Sequence, residues 1–336
     1  MYYIYSEFDK KINKEYSIFL KKQKDYSLLQ TLKWGKVKQD WKQYLIIVKD
    51  KNTITGSTMV LVKKIPYINY SFLYAPRGPI CSDKETLKEL VLGIKELAKI
   101  EKGFLFKADP LMFPKDELLF KDFFKLNTSF KNFDGIQPKF ISELDLKNYT
   151  NQTEIINSFN AKTRYNIRLA ERKNVLIEKS KNYIDDFYNL MIETGERDNF
   201  NIRSKEYFKN LLTQLEEDAD LYIAKYNNKI IAGAIIIKHG KTFEYLYGAS
   251  SNQDRNVMPN YLLQWKMIQD AFYQNFEKYS FGGISGNITE KDNPLYGLYK
   301  FKRGFNTKTI EYLGEIEIIF NKFIYFLYYI KRKLVH

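Results

Sequence analysis

The chain has 336 residues, 44% of them hydrophobic, so it can bury the cores of two ordinary domains and is not disordered. Its 54 lysines and arginines against 40 acids give a formal charge of +14, which favours polyanionic partners: nucleic acid, nucleotide phosphates or an anionic membrane surface. One cysteine, Cys81, and two histidines, His239 and His336, exclude a disulfide framework and make zinc or Ser-His-Asp chemistry poor assignments, so no metal is expected.

In chain order, residues 1–10 carry acids and no apolar stretch, unlike a signal peptide. Helical patterns follow at about 9–38. Residues 44–62, YLIIVKDKNTITGSTMVLV, read as an apolar strand, a polar turn at Asp50-Lys51-Asn52 and a second strand, which is a hairpin signature. FLYAPRGP at 72–79, a helical pattern at about 84–101 and a short strand, FLFKAD at 104–109, complete a unit. ISELDLKNYT at 141–150 leads into a new helix, and AKTRYNIRLAERKN at 161–174 forms a basic one.

The order then repeats. Helices at about 182–217 precede LYIAKYNNKIIAGAIIIK at 221–238, a second hairpin turning at Asn227-Asn228-Lys229. YLYGASS at 245–251, a helical pattern at 259–276 and the strand KYSFGG at 278–283 match the first unit element for element. Helices, an antiparallel hairpin, a third strand, a helix and another strand is the order of the acetyltransferase-type (GNAT) unit. The fold expected is therefore α/β (α+β): two tandem GNAT-like acyltransferase domains with mixed, mainly antiparallel sheets. Domain 1 is expected over 1–143, completed by 313–336, and domain 2 over 144–312.

An acetyl-CoA enzyme of this fold cradles pyrophosphate on bare amides of a glycine-bearing loop at a helix N-terminus. The equivalent loop here, SSNQDRNVMPNY at 250–261, has no glycine, and Pro259 lacks an amide hydrogen. Its first-half counterpart, RGPICSDKET, has one glycine and a proline. Neither suits coenzyme A, and no bound cofactor is expected.

WGKVKQDW (34–41), YAPRGP (74–79), FKADP (106–110), YGASSNQDRNVMPNYLLQW (247–265) and YGLYKFKRGF (296–305) together resemble the Fem peptidoglycan-bridge family. The resemblance spans almost the whole chain and implies a cytoplasmic aminoacyltransferase. Such an enzyme uses aminoacyl-tRNA as co-substrate and extends the stem peptide of a peptidoglycan precursor, either UDP-MurNAc-pentapeptide or lipid II. Domain 1 would then bind the precursor and domain 2 the aminoacyl-tRNA. No long heptad-patterned arm is visible, so the chain resembles the short, arm-less type.

The ester donor is already activated, whereas an acceptor amine near pKa 10.4 costs roughly 4–5 kcal/mol to present neutral at pH 7. The enzyme must align that amine, move its proton and stabilise the oxyanion. The resemblance makes Lys302 the candidate for charge stabilisation, with Phe301 shaping its pocket. Asp109 could accept a proton or orient the amine, though an aspartate before Pro110 also suits a turn. By resemblance Lys36, Arg203, Tyr207 and Tyr247 contact the precursor, and the four-residue spacing of Arg203 and Tyr207 suggests one helix face. Arg164, Arg168 and Arg172 recur every fourth residue as a cationic stripe for tRNA phosphates, or as a solvated face. Arg77 between two prolines reads as a structural brace.

The segment NKFIYFLYYIKRKLVH at 321–336 is amphipathic and basic, and its apolar run is too short to span a bilayer. It is expected to pack back on domain 1, with peripheral contact at the inner face of the membrane as the other reading. The rival functions are an aminoacyl-tRNA–protein transferase of the same fold and a non-catalytic tRNA-binding protein.

Overall fold

In a computed structural model, which describes residues 1–127, 135–286 and 293–335, both expected copies of the acetyltransferase-type unit are present. His336 lies outside the described residues. The chain divides into a unit of Met1–Lys139 with Glu311–His336 and a unit of Phe140–Ile310.

The first unit runs β1 (Tyr2–Tyr5), α1 (Lys10–Lys22), α2 (Leu32–Val37), β2 (Lys42–Asp50), β3 (Thr53–Lys64), β4 (Ser71–Ala75), α3 (Lys84–Ile100), β5 (Gly103–Ala108), α4 (Glu117–Phe120) and β6 (Lys125–Asn127). The second runs β7 (Phe140–Asp145), α5 (Gln152–Ser158), α6 (Ala161–Arg172), β8 (Leu176–Lys179), α7 (Ile184–Asp198), α8 (Lys205–Leu215), β9 (Ala219–Tyr226), β10 (Lys229–His239), β11 (Thr242–Ser250), α9 (Pro259–Tyr273), β12 (Lys278–Gly283), α10 (Tyr296–Arg303) and β13 (Lys308–Glu311). β14 (Glu315–Ile319) and α11 (Lys322–Val335) return to the first unit.

The two sheets are ordered β1-β2-β3-β4-β5-β14-β6 and β13-β7-β12-β11-β10-β9-β8. Each turns on a two-residue hairpin. In the second, Asn227 and Asn228 both take positive φ, at 48° and 61°, which is the type I′ conformation that asparagine tolerates. The sheets are mainly antiparallel, but each contains a parallel pair, β4 with β5 and β11 with β12. A helix links the strands of each pair, α3 in the first unit and α9 in the second. α3 buries Leu87, Leu90, Val91, Ile94 and Leu97, a stripe at helical spacing that seals the first core. The second core gathers Leu262, Trp265, Met267 and Ile268 of α9 with Phe243, Tyr279, Phe281 and Phe305.

β14 is held beside β5 by a buried charge cluster. Lys107 lies 2.7 Å from Glu315 and 3.0 Å from Glu317, and Glu315 also accepts from the Ile136 amide at 2.7 Å. Three charges this deep are tolerable only because each is paired. α11 packs on the same sheet: the Tyr328 ring lies 5.5 Å from Phe104 and stacks 6.1 Å from Phe72, and the Tyr325 hydroxyl donates to Glu317 at 3.0 Å. The terminal segment thus packs back on the first unit, through one edge of the helix.

Candidate active site

In the first unit, Asp109 follows β5 directly. It caps no helix. It is buried, Oδ2 accepting from the Tyr74 hydroxyl at 2.7 Å and Oδ1 from the Arg77 amide at 2.7 Å. Burial pushes its carboxyl pKa up, and the Arg77 guanidinium and amide oppose that rise. Arg77 takes a left-handed φ of 57°, so the carboxylate holds a turn that an L-residue rarely adopts. The Arg77 guanidinium donates to the Pro138 carbonyl at 3.0 Å and sits 4.9 Å over the Tyr312 ring, as a brace should. Both oxygens of Asp109 are thus committed to the fold. Lys36 is exposed on α2.

In the second unit, Arg203 corrects the helix-face expectation. α8 begins at Lys205 after its N-cap Ser204, whose hydroxyl accepts from the Tyr207 amide, so Arg203 precedes the helix. Its guanidinium nonetheless lies 5.7 Å over the Tyr207 ring. The Tyr207 hydroxyl is 3.2 Å from that of Tyr247 on β11, and Phe208 packs edge-on to Tyr247 at 5.1 Å. Arg203, Tyr207 and Tyr247 therefore form one cluster. Burial raises the Tyr207 pKa, so the phenol is a neutral donor at physiological pH.

A cavity of about 390 Å³ opens beside the start of α9. The parallel pairing of β11 and β12 is confined to residues 242–244 and 278–280, while β11 continues to Ser250. This leaves the outer half of β11 free to line the cavity. Its walls include Tyr245, Gly248, Arg255, Pro259, Tyr261 and Phe301. Phe301 is placed by aromatic packing, 5.0 Å from Tyr261 and 5.4 Å from Phe305. Arg197 is neutralised by a two-point contact with Asp198 at 3.0 and 3.1 Å, and also donates to the Ser250 carbonyl at 2.8 Å. Arg255 is exposed at the rim, with no ion pair among the described residues. Arg197, Arg255, Tyr245 and Tyr261 escaped the sequence reading, although Arg255 and Tyr261 lie in the SSNQDRNVMPNY loop.

Gly248 is required by close approach. A Cβ there would fall 1.5 Å from the Tyr245 hydroxyl. Gly248→Ala should cost about 1–3 kcal/mol by overpacking. Urea unfolding should show that loss, and in a Tyr245→Ala background the further cost of Gly248→Ala should be smaller than in the parent.

Lys302 is on α10, the helix that supplies Phe301, but it does not line the cavity. Its side chain is buried, the residue only 4% exposed, and Nζ donates to the Gly283 carbonyl at 2.7 Å at the end of β12. Burial lowers its pKa to about 7. The amine is thus poised between charged and neutral forms at physiological pH, unlike the solvated lysine its basic surroundings in sequence suggest.

The arginine stripe on α6 is uneven. Arg168 and Arg172 are exposed, whereas Arg164 is partly buried and donates to the carbonyls of Asn157 and Phe159 at the end of α5. His239, the one histidine with described geometry, pairs with Glu244 at 2.9 Å on the β10–β11 hairpin.

Residues 12–230 and 223–333 match the FemAB family. A lipid II:glycine glycyltransferase of Staphylococcus epidermidis is 30% identical, over 94% of this chain and 93% of its own. One from Staphylococcus aureus is 30% identical over 93% of each. These alignments run to 392 and 395 positions, longer than this chain, so both relatives carry residues with no counterpart here. The crystal structure of FemX superposes with a TM-score of 0.85 at 28% identity, over 94% of this chain and 98% of that one. A tandem GNAT protein from the clavulanic acid biosynthesis pathway shares the fold, with a TM-score of 0.58 at 7% identity, over 95% of this chain and 98% of its own. The family match over residues 12–230 and 223–333, with relatives 30% identical over almost the full length and the two acetyltransferase-type units, makes the chain a member of the FemAB family.

Proposed function

We propose that the protein transfers an amino acid from aminoacyl-tRNA to the stem peptide of a peptidoglycan precursor at the cytoplasmic face of the membrane, that the acceptor is lipid II, and that the amino acid is glycine. The relatives named above are lipid II:glycine glycyltransferases, which favours that acceptor and that amino acid. The observation that carries the donor assignment is the cavity at the start of α9. In this reading it takes the acyl donor at the N-terminus of α9, where Pro259 stands at the first helical position and the loop before it has no glycine, so it is not built as a pyrophosphate cradle. Its aromatic walls and the exposed Arg255 suit an adenosine end carrying a small aminoacyl ester.

In this reading Lys302 receives the proton that the acceptor amine releases as the new amide bond forms. The resulting lysinium then stabilises the oxyanion of the tetrahedral intermediate, and collapse of that intermediate breaks the ester C–O bond, the departing ribose oxygen taking the proton back from Lys302 to leave as the tRNA hydroxyl. Phe301 shapes the pocket around the ester. Lys36, Arg203, Tyr207 and Tyr247 hold the precursor, with Arg203 and Lys36 as phosphate contacts. Asp109 is a positioning residue that fixes the Arg77 turn. Arg168 and Arg172 engage tRNA phosphates, Arg164 contributing through the α5–α6 corner it ties together.

The acceptor is tested by offering lipid II and UDP-MurNAc-pentapeptide separately, at equal concentration, with labelled glycyl-tRNA. Faster labelling of lipid II is expected. Labelling of the UDP-linked precursor alone would contradict the lipid-linked assignment while leaving the transfer reaction in place.

A further inference from the structure

We infer that α11 and the turn between β3 and β4 form one docking surface for an anionic lipid bilayer. The edge of α11 that carries Tyr325 and Tyr328 is used against the sheet. Phe323, Phe326, Leu327 and Ile330 recur at i, i+3, i+4 and i+7, which places them on a single stripe of the helix, and all four are exposed, Phe323 to 69% and Phe326 to 58%. A contiguous exposed stripe of this size marks an interaction surface.

A second element adjoins it. The Asn321 amide donates to the Tyr70 hydroxyl at 3.1 Å, which sets the first turn of α11 beside the β3–β4 connection. That connection closes on itself through the Ile65 amide to the Tyr70 carbonyl at 2.9 Å. Tyr67, with a φ of 69°, and Ile68 are held out into solvent at its tip. Two elements joined by the Asn321–Tyr70 hydrogen bond therefore both expose aromatic and aliphatic side chains.

The charge around them selects the partner. Residues 321–336 contain Lys322, Lys331, Arg332 and Lys333 and no acid, Lys64 beside the turn is exposed, and the whole chain carries +14. Aromatic and aliphatic residues edged by cations are the composition of a helix that lies in the interface of an anionic leaflet, where each nearby lysine or arginine adds about 1 kcal/mol. α11 has 14 residues, and no helix among the described residues is long and apolar enough to cross a membrane, so it lies on the bilayer.

The test is co-sedimentation of the full chain with vesicles of phosphatidylglycerol and phosphatidylcholine in equal parts, and with phosphatidylcholine alone. No lipid II is present, so the outcome is independent of the acceptor assigned above. Binding is expected to the anionic vesicles, and Phe326→Asp with Leu327→Asp should weaken it at least ~10-fold. Because both residues are exposed, the double variant should unfold at the same urea concentration as the parent. Equal binding to both vesicle types, or no loss in the double variant, would overturn the proposal. So would a dimer in lipid-free solution that the double variant dissociates, since the surface would then belong to a second copy of this chain.

Discussion

Lys302→Met should reduce aminoacyl transfer at least ~100-fold while making the protein more stable at pH 7. The two effects have one cause. Buried against Gly283, the amine has a pKa near 7, whereas in the unfolded chain it returns to the ordinary lysine range near 10.4. A folded-state pKa below the unfolded one means that the unfolded chain binds the extra proton between those values. Stability should therefore rise with pH from about 7 to about 10, by up to about 1.4 kcal/mol per unit from this residue, and this contribution should flatten below 7. At pH 7 the native state forgoes roughly 4–5 kcal/mol to keep the amine dry, part of which the hydrogen bond to Gly283 offsets. Urea unfolding from pH 6 to 10 checks the point: the parent should show the slope and Lys302→Met should lack it. Lys302→Arg separates the catalytic roles. An arginine stays charged, so a fixed-cation role would be rescued and a proton-accepting role would not. Failure to rescue is the expected result, with arginine also the less stable of the two variants.

The second large effect is expected at Asp109. Asp109→Ala should cost about 3 kcal/mol, because it strands the Tyr74 hydroxyl and the Arg77 amide in a buried site, each unmet group costing about 1–3 kcal/mol. Asp109→Asn keeps an acceptor and should lose less. For transfer, a positioning residue predicts that the asparagine variant, assayed below its melting transition, keeps kcat within about 10-fold with an unaltered pH profile. A proton-accepting role predicts at least a ~100-fold loss at nearly unchanged stability. The stability and kinetic measurements on one pair of variants thus distinguish the two.

The parts of the fold that could be read in advance are those written in local chemistry. Asn227-Asn228 announces a type I′ hairpin because asparagine accepts positive φ, and the strand-helix-strand order after each hairpin implies the parallel pairs β4–β5 and β11–β12. Strand β7 was hidden in ISELDLKNYT, a stretch read only as the approach to a helix, because its pairing with β12 joins residues more than 130 positions apart. The site was less legible for the same reason. Arg197 and Tyr245 meet around one cavity through sheet order, which no spacing in the chain encodes. Ser204 carried the signal that would have placed Arg203 outside α8, since serine is a preferred N-cap and the helical period starts just after it. Lys302 sits among Lys300 and Arg303 and reads as solvated; only the fold shows it to be the one buried residue of α10.

The proposed acyl donor is an aminoacyl-tRNA. It is tested most directly by incubating the protein and lipid II with tRNA charged from a pool of labelled amino acids, alongside the same label in free form with ATP and as an acyl-CoA. Label is expected in the muropeptide from charged tRNA alone, with glycine the residue transferred. Label from an acyl-CoA, or binding of charged and uncharged tRNA without turnover, would contradict it and leave a conventional acyltransferase or an RNA-binding protein in its place.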